Sequence, residues 1–212
     1  MTLRSEDLKM EEKVVVFFDI CSSSTILEDL LATDNMMIFR DLMLSIKSFL
    51  KLKASQGEFV LYKFIGDGWI LLFPPNVSGR ELVKCLTRVS QVFSRVMRDR
   101  VVPVLQQTPK VVGLTFGVDK GRLVRMTMNQ QTEYIGRALN VASRLQGAIK
   151  DKDNNPAFKV LISKHAYNGL QIGPGMLKLQ KVTRRLRNIR NNEKMNLVKL
   201  TLPVQAINDD LE

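Results

Sequence analysis

Short apolar runs alternate with segments of helical periodicity along the 212-residue chain. Lys13–Asp19 is a β-branched and aromatic run that ends in an acid, which predicts a buried strand with Asp19 at its carboxyl end. Glu58–Lys63 and Trp69–Phe73 are two further β-rich runs, and the Asp-Gly pair between them favours a tight turn. We therefore expect a hairpin with Asp67 at or near its tip.

Three longer segments repeat apolar residues at the spacing of an amphipathic helix. They are Met36–Ala54, which Gly57 ends, Ser78–Val102, and about Ile135–Ile149. Val111–Val118 and Arg122–Met128 flank the polar Asp119-Lys120-Gly121, which predicts a second hairpin. The remaining predicted features are a polar loop at Lys150–Pro156, a strand at Lys159–Ile162, a turn capped by Ser163, and a strand pair joined by a basic segment within Gly175–Leu202. This order predicts an α+β ferredoxin-like sandwich, with helices on one face of a mainly antiparallel sheet.

The composition indicates one folded domain. Hydrophobic residues make up 45% and charged residues 25% of the chain, which excludes wholesale disorder. We expect residues 1–212 to form a single domain with its core from about residue 13 to residue 202. The apolar runs are far shorter than the roughly 20 residues that cross a bilayer, and Met1–Lys13 mixes charges in an order unlike a signal peptide. The expected location is the cytoplasm, without a membrane partner.

The charge balance narrows the class of ligand. Thirty-two Lys and Arg against 21 Asp and Glu give a net charge of +11, which suits a polyanion such as nucleic acid or a nucleoside triphosphate. The basic stretch Lys178–Lys194 has no interleaved aromatic pattern, so nucleic acid is the less favoured of the two. Cys21, Cys85 and the single His165 lack the spacing of a zinc site, and we expect His165 on the surface.

Two groups of residues are candidates for chemistry. Asp19 and Asp67 end or join strands, and paired carboxylates at such edges bind Mg²⁺ or Mn²⁺ in phosphoryl-transfer sites. Taken alone, however, the aspartates are better explained by structural roles, Asp19 as the cap of the next helix and Asp67 as part of its Asp-Gly turn. Gly136, Asn140 and Arg144 follow one another at intervals of four residues on one face of the third predicted helix, where Asn can orient a sugar and Arg can bind a phosphoryl oxygen. By themselves they would also fit a solvated polar stripe.

Together these segments resemble the class III nucleotide cyclase catalytic domain over about Val14 to Leu202. Val16-Phe-Phe-Asp-Ile20 resembles that family's first metal motif, although serines 22–24 replace its usual Gly-Phe-Thr. Lys63-Phe-Ile-Gly-Asp67-Gly resembles its second metal motif, a hairpin. The segment from Glu133 to Leu145 is similar, nearly position for position, to its transition-state helix.

The resemblance implies a reaction and an assembly. Asp19, Asp67 and the backbone carbonyl of Ile20 would bind two divalent ions, Mg²⁺ or Mn²⁺. Asn140 would orient the ribose, and Arg144 would neutralise the pentavalent phosphorus as a nucleoside triphosphate is converted to a 3′,5′-cyclic monophosphate and pyrophosphate. In this family the metal aspartates come from one subunit and the Asn and Arg from its partner, so the resemblance implies a homodimer with shared sites.

Base choice depends on further positions that the resemblance identifies. Lys63 occupies a base-contacting position at which a lysine usually goes with adenine as the base, while Glu133 replaces the usual Asp or Thr of its partner position. Separately, Arg187 loosely matches a lysine that binds the triphosphate in this family. More narrowly, the chain resembles the bacterial pyrimidine cyclases of anti-phage signalling, which make cyclic CMP or cyclic UMP for a separately encoded effector. Tyr62 would narrow the base pocket against purines, or would simply be a strand residue that faces the core.

The favoured prediction is therefore a homodimeric cyclase that acts on UTP or CTP. An adenylate cyclase that makes cyclic AMP is the near alternative. A basic RNA-binding ferredoxin-like module without catalysis is the least favoured alternative. Its RNA binding would depend steeply on salt, and it would show no metal-dependent turnover.

Overall fold

The chain folds into a mainly antiparallel sheet with helices on both of its faces. The computed structural model describes residues 8–150, 154–172, 177–189 and 194–204. The strands are β1 (Leu8–Ile20), β2 (Val60–Ile65), β3 (Gly68–Phe73), β4 (Leu114–Met128), β5 (Gln131–Ile135), β6 (Lys159–Ser163), β7 (Lys178–Arg185) and β8 (Lys194–Thr201). The helices are α1 (Ser23–Ala32), α2 (Met36–Ser55), α3 (Gly79–Val96), α4 (Arg137–Lys150) and α5 (Lys164–Leu170). Parts of the predicted polar loop at 150–156, of the tail from residue 175 and of the basic stretch 178–194 lie outside the described residues.

The sheet has β1 and β4 at its centre. Its order is β2-β3-β1-β4-β6-β8-β7, and β5 pairs with the distal part of β4. Neighbouring strands are antiparallel except for β4 and β6, which are parallel. The predicted α+β sandwich with a mainly antiparallel sheet is confirmed.

The side chains of β1 alternate between two hydrophobic cores, one on each face of the sheet. Val14, Val16 and Phe18 pack in the larger core with residues of α1, α2, α3 and α5. Val15 and the partly buried Phe17 belong to the opposite core, which includes residues of α4. The expectation that all helices lie on one face is therefore wrong for α4. Because β1 is apolar on both sides, both faces of the sheet need a covering layer.

The second predicted hairpin does not have its turn at the polar residues 119–121. β4 continues without a turn through Asp119-Lys120-Gly121, and each of these residues pairs with a residue of β1. The turn instead lies at Asn129 and Gln130, which both have positive φ and connect β4 to β5. The strand β1 keeps this part of β4 extended, because Lys13, Val14 and Val15 provide its backbone partners. It also starts at Leu8 rather than Lys13, and its additional residues pair with the continuation of β4 up to Met126.

The serine segment after β1 begins a helix that the sequence analysis did not predict. Ser22 adopts the left-handed conformation with φ 58°, and its hydroxyl donates to the carbonyl oxygen of Val111 at 2.8 Å. The next residue starts α1, which buries Ile26 and Leu30 one turn apart. The serines therefore form a helix start and not a loop.

The long predicted helices agree with the structure, except at one end. α2 confirms the segment Met36–Ala54, and α4 confirms the third segment. α3 begins after Ser78, which forms a reciprocal capping box with Glu81, but it ends at Val96 before a wider turn and then a tighter turn that contains Pro103. None of the helices in the described ranges has the length and apolar character needed to cross a bilayer.

Candidate active site

Asp19 and Asp67 lie at the same end of the sheet. Asp19 is the penultimate residue of β1, and the preceding Phe18 pairs with Trp69 of β3. Asp67 lies in the two-residue turn between β2 and β3, in which Gly66 adopts a φ of 64° that favours glycine. As predicted, the hairpin carries Asp67 at its tip, next to the end of β1.

Gly68 allows the hairpin to lie this close to Asp19. A Cβ atom at Gly68 would lie 2.5 Å from the carbonyl oxygen of Phe18 and 3.4 Å from Oδ1 of Asp19. A contact of 2.5 Å with a backbone oxygen is too short for any side chain, so glycine is required here. We call Asp19, Ile20 and Asp67 the carboxylate corner.

The oxygen atoms of the carboxylate corner fit a hard divalent cation. Asp19 and Asp67 supply carboxylates, and Ile20, whose apolar side chain has no ligand atom, could contribute only its backbone carbonyl. Within the described residues, no three His, Cys, Asp or Glu side chains cluster as a complete ligand set. Mg²⁺ is typically held by one or two carboxylates, with water and substrate phosphates completing its coordination. This donor set therefore suits a cation that is shared with a phosphorylated substrate.

The helix α4 packs closely on β4 and turns two predicted site residues outward. A Cβ atom at Gly117 of β4 would lie 2.0 Å from the carbonyl oxygen of Ala142, so glycine permits this contact. The inner face of α4 buries Ala142 and Leu145. Asn140 and Arg144 are exposed and lie one turn apart, as their spacing predicts.

Gly136, the third member of that spacing, is explained by packing against a strand. It lies immediately before α4, and a Cβ atom there would lie 2.6 Å from Cδ2 of Leu123 and 2.8 Å from the carbonyl oxygen of Arg122. The close approach of β4 therefore explains this glycine.

Gln146 joins the buried face of α4 to β1 and is a residue that the sequence analysis missed. It is 5% exposed, and its Nε2 donates to Oγ1 of Thr115 at 2.7 Å and to Oδ2 of Asp19 at 3.4 Å. The Thr115 hydroxyl in turn donates to the backbone carbonyl oxygen of Asp19 at 3.5 Å. A signal was present in the sequence: Gln146 continues the row of Ala138 and Ala142 at intervals of four, which is the apolar face of the helix.

Tyr62, Lys63 and Glu133 form a hydrogen-bonded cluster between β2 and β5. The Tyr62 hydroxyl donates to Oε2 of Glu133 at 2.6 Å, and Nζ of Lys63 lies 2.7 Å from the same oxygen. The hydroxyl also accepts from the backbone N–H of Tyr134 at 2.9 Å. A register shift between Leu61 and Lys63 marks a β-bulge at Tyr62. In a regular strand Tyr62 and Lys63 would point to opposite faces, and the bulge explains how both reach Glu133.

Charge and burial shift the ionisation of this cluster. Hydrogen bonds from Lys63 and Tyr62 hold the pKa of Glu133 below its usual value, and the bond to Glu133 raises the pKa of Lys63. Burial, together with the bond to Glu133, raises the pKa of Tyr62. At neutral pH the cluster is therefore a carboxylate, an ammonium and a neutral phenol. The side chains of Lys63 and Glu133 are 44% and 19% exposed, so a ligand can reach them.

The ring of Tyr62 also has a packing role. It meets the ring of Tyr134 edge-on, with 5.2 Å between ring centroids, and it packs on the core that α4 covers. The ring of Tyr62 therefore faces the core, which was one of the two roles considered for it, while its hydroxyl holds Glu133.

Two other residues singled out in the sequence lie on the surface. Arg187 is exposed in the turn after β7, and within the described residues no hydrogen bond or ion pair joins it to the other predicted site residues. His165 is exposed in the first turn of α5, as predicted.

Comparisons with known proteins identify the fold. No protein-family model matches the chain, and no curated protein has a significantly similar sequence. The structure of the adenylyl cyclase CyaB from P. aeruginosa matches with a TM-score of 0.69 at 15% identity, over 94% of this chain and 98% of that chain. The guanylyl cyclase Cya2 matches with a TM-score of 0.68 at 14% identity, over 93% and 97%. The guanylate cyclase domain of RhGC from Catenaria anguillulae, solved in complex with GTP, matches with a TM-score of 0.62 at 16% identity, over 92% and 98%. The chain has the fold of class III nucleotide cyclase catalytic domains.

Proposed function

We propose that this protein is a nucleotide cyclase that converts a nucleoside triphosphate, UTP or CTP, to the 3′,5′-cyclic monophosphate and pyrophosphate. The match to cyclase domains along nearly the whole chain supports a cyclase. The choice of a pyrimidine follows from the sequence resemblance to the anti-phage pyrimidine cyclases. In that setting the product is a second messenger for a separately encoded effector.

The two faces of α4, which carry different predicted site contacts, are the observation that best supports the proposal. Gln146, on the inner face of α4, contacts Asp19. Arg144 is two residues earlier and therefore points about 160° away around the helix. Asp19 and Arg144 thus lie on opposite sides of α4 in one chain. A second copy related by a two-fold axis can bring its Arg144 to this carboxylate corner, which supports a homodimer with two equivalent shared sites.

Each group has a role in the proposed reaction. Asp19, Asp67 and the Ile20 carbonyl would hold two divalent ions, which would lower the pKa of the ribose 3′-hydroxyl and neutralise phosphate charge. The exposed amide of Asn140 both donates and accepts hydrogen bonds, so it can fix the orientation of the ribose. The Arg144 guanidinium supplies a fixed positive charge for the α-phosphorus as the 3′-oxygen attacks in line and pyrophosphate leaves.

The Tyr62, Lys63 and Glu133 cluster is the proposed base-recognition site. Both contacts that Glu133 makes within the described residues fall on Oε2, which leaves Oε1 to accept a hydrogen bond from a base. Lys63 supplies a donor beside it. A donor and an acceptor can pair with several bases, so the size of the pocket must discriminate between pyrimidines and purines. The Tyr62 side chain is well placed to narrow the pocket, because Glu133 and Tyr134 hold it on two sides. Arg187 is the proposed ligand of the triphosphate.

A turnover assay tests the activity and the base together. Purified protein is incubated separately with ATP, GTP, CTP and UTP at equal concentrations in Mn²⁺, and the products are identified by mass spectrometry. We expect cyclic UMP or cyclic CMP, with a higher kcat/KM than for either purine, because a pocket narrowed by Tyr62 would clash with the larger base. A clear preference for ATP would assign the protein to the adenylate cyclases. No cyclic product from any substrate would overturn the proposed function.

A further inference from the structure

Gln146 connects the helix of one half-site to the metal-binding carboxylate of the other. We propose that Gln146 is a positioning residue whose side-chain amide holds the Asp19 carboxylate in the orientation that binds the divalent ion. This proposal rests on the cyclase function proposed above. It assigns a role to a residue outside the proposed ligands of the nucleotide and the metal.

The burial of Gln146 requires an explanation. A primary amide that is 5% exposed on the apolar face of a helix costs free energy unless its polar atoms are hydrogen-bonded. The amide group carries two N–H protons, so Nε2 can donate to Thr115 and to Asp19 at the same time. The 2.7 Å bond to Thr115 satisfies one of these protons, and the 3.4 Å contact directs the other at Oδ2 of Asp19.

A fixed donor on one carboxylate oxygen limits rotation of the Asp19 carboxylate, so less conformational freedom is lost when an ion binds. Removal of a partner that hydrogen-bonds a metal ligand typically weakens metal affinity by about 10- to 100-fold. Thr115 contributes differently, because its own contact is with the backbone carbonyl of Asp19 and not with the carboxylate.

Mn²⁺ titration followed by electron paramagnetic resonance measures this effect without turnover. The test variant is Gln146→Met, which keeps the length of the side chain and removes its donors. Thr115→Val is the structural comparison, because it removes the same 2.7 Å bond but leaves the amide next to Asp19. Gln91→Met, on the exposed side of α3, is the matched control.

We expect Gln146→Met to weaken Mn²⁺ binding by about 10-fold or more, Thr115→Val to weaken it much less, and Gln91→Met to leave it unchanged. Thermal unfolding should show that Gln146→Met and Thr115→Val are folded and similarly destabilised. The proposal is overturned if folded Gln146→Met binds Mn²⁺ as tightly as wild type, or if Thr115→Val weakens binding equally.

A mixture of Asp67→Ala and Arg144→Ala proteins locates the effect on one chain. The intact site of their heterodimer takes its carboxylate corner from the Arg144→Ala chain. Gln146→Met added to that chain should raise the Mn²⁺ concentration needed for half-maximal turnover, and added to the Asp67→Ala chain it should not. An effect that follows the Asp67→Ala chain would show that Gln146 acts by positioning the outer face of α4, which overturns the proposal.

The outcomes separate this inference from the proposed function. Turnover by wild type, combined with unchanged Mn²⁺ affinity in Gln146→Met, overturns the role of Gln146 alone. Mn²⁺ binding by wild type without turnover of any triphosphate overturns the cyclase proposal, and the titration still decides whether Gln146 orients Asp19.

Discussion

Replacement of Tyr62 by Phe removes one hydroxyl from the base-recognition cluster and keeps the ring that packs on Tyr134. The hydroxyl donates to the Glu133 carboxylate at 2.6 Å and accepts from the Tyr134 N–H at 2.9 Å. Tyr134 is only 8% exposed, so its N–H has little access to water once its acceptor is gone. Glu133 is better placed, because it keeps Lys63 and is partly exposed.

The magnitude follows from these two losses. A hydrogen bond to a charged group contributes about 1.5–3 kcal/mol, and an unsatisfied buried donor costs about 1–3 kcal/mol. Because water compensates the partly exposed Glu133, we expect the free energy of unfolding to fall by about 2 kcal/mol. In a chain of this size, each kcal/mol lowers Tm by about 2–4 °C, so the fall in Tm should be about 4–8 °C.

Urea unfolding followed by circular dichroism measures the change, with an unchanged slope expected for a variant that keeps the fold. Tyr167→Phe is the matched control, because within the described ranges the Tyr167 hydroxyl makes one hydrogen bond, of 3.3 Å, to the carbonyl oxygen of Ile172. We expect this control to lose less than about 1 kcal/mol. If Tyr62→Phe is as stable as wild type, or loses no more than the control, the hydroxyl does not hold the cluster together.

Three further predictions concern the shared site, the packing of α4 and the dependence on pH. Asp67→Ala and Arg144→Ala proteins should each be folded and nearly inactive, and their mixture should regain about a quarter of wild-type turnover. Random exchange makes about half of the dimers heterodimers, and each heterodimer has one intact site of two. A mixture that stays inactive after demonstrated subunit exchange contradicts the shared site. Gly117→Ala places a methyl group 2.0 Å from a backbone oxygen of α4 and should lower the free energy of unfolding by about 3 kcal/mol or more. The control Gly147→Ala has open space around its Cβ and should be neutral or stabilising by up to about 1 kcal/mol. Equal urea midpoints for the two variants would show that α4 does not need this contact. The pKa of Glu133 is lower in the folded protein than its usual 4.5, so its stabilising effect is present above that value and is lost as the pH falls through the folded pKa. Glu133→Gln should therefore flatten the acid side of the stability profile, and an acid side parallel to that of wild type would refute this.

Local sequence pattern determined the features of this protein that depend on neighbouring residues. The helical repeat of Met36–Ala54 predicts α2, because a stripe of apolar residues at this period can be buried only by a helix. The Asp-Gly pair after Gly66 predicts the hairpin that carries Asp67 next to Asp19, because the turn and its flanking strands are specified within a few residues. The exposure of Asn140 and Arg144 on one face of α4 likewise follows from their spacing.

The tertiary structure alone decided the features that depend on partners distant in sequence. Asp119-Lys120-Gly121 has the composition of a turn, yet it stays extended because β1 provides its backbone partners from more than 100 residues earlier. The bulge at Tyr62 directs two adjacent side chains to Glu133, which no alternating pattern predicts. Gln146 reaches Asp19 only because Gly117 lets α4 lie against the sheet. In each case the deciding contact spans a large separation along the chain, and its free energy can override the local preference of the segment.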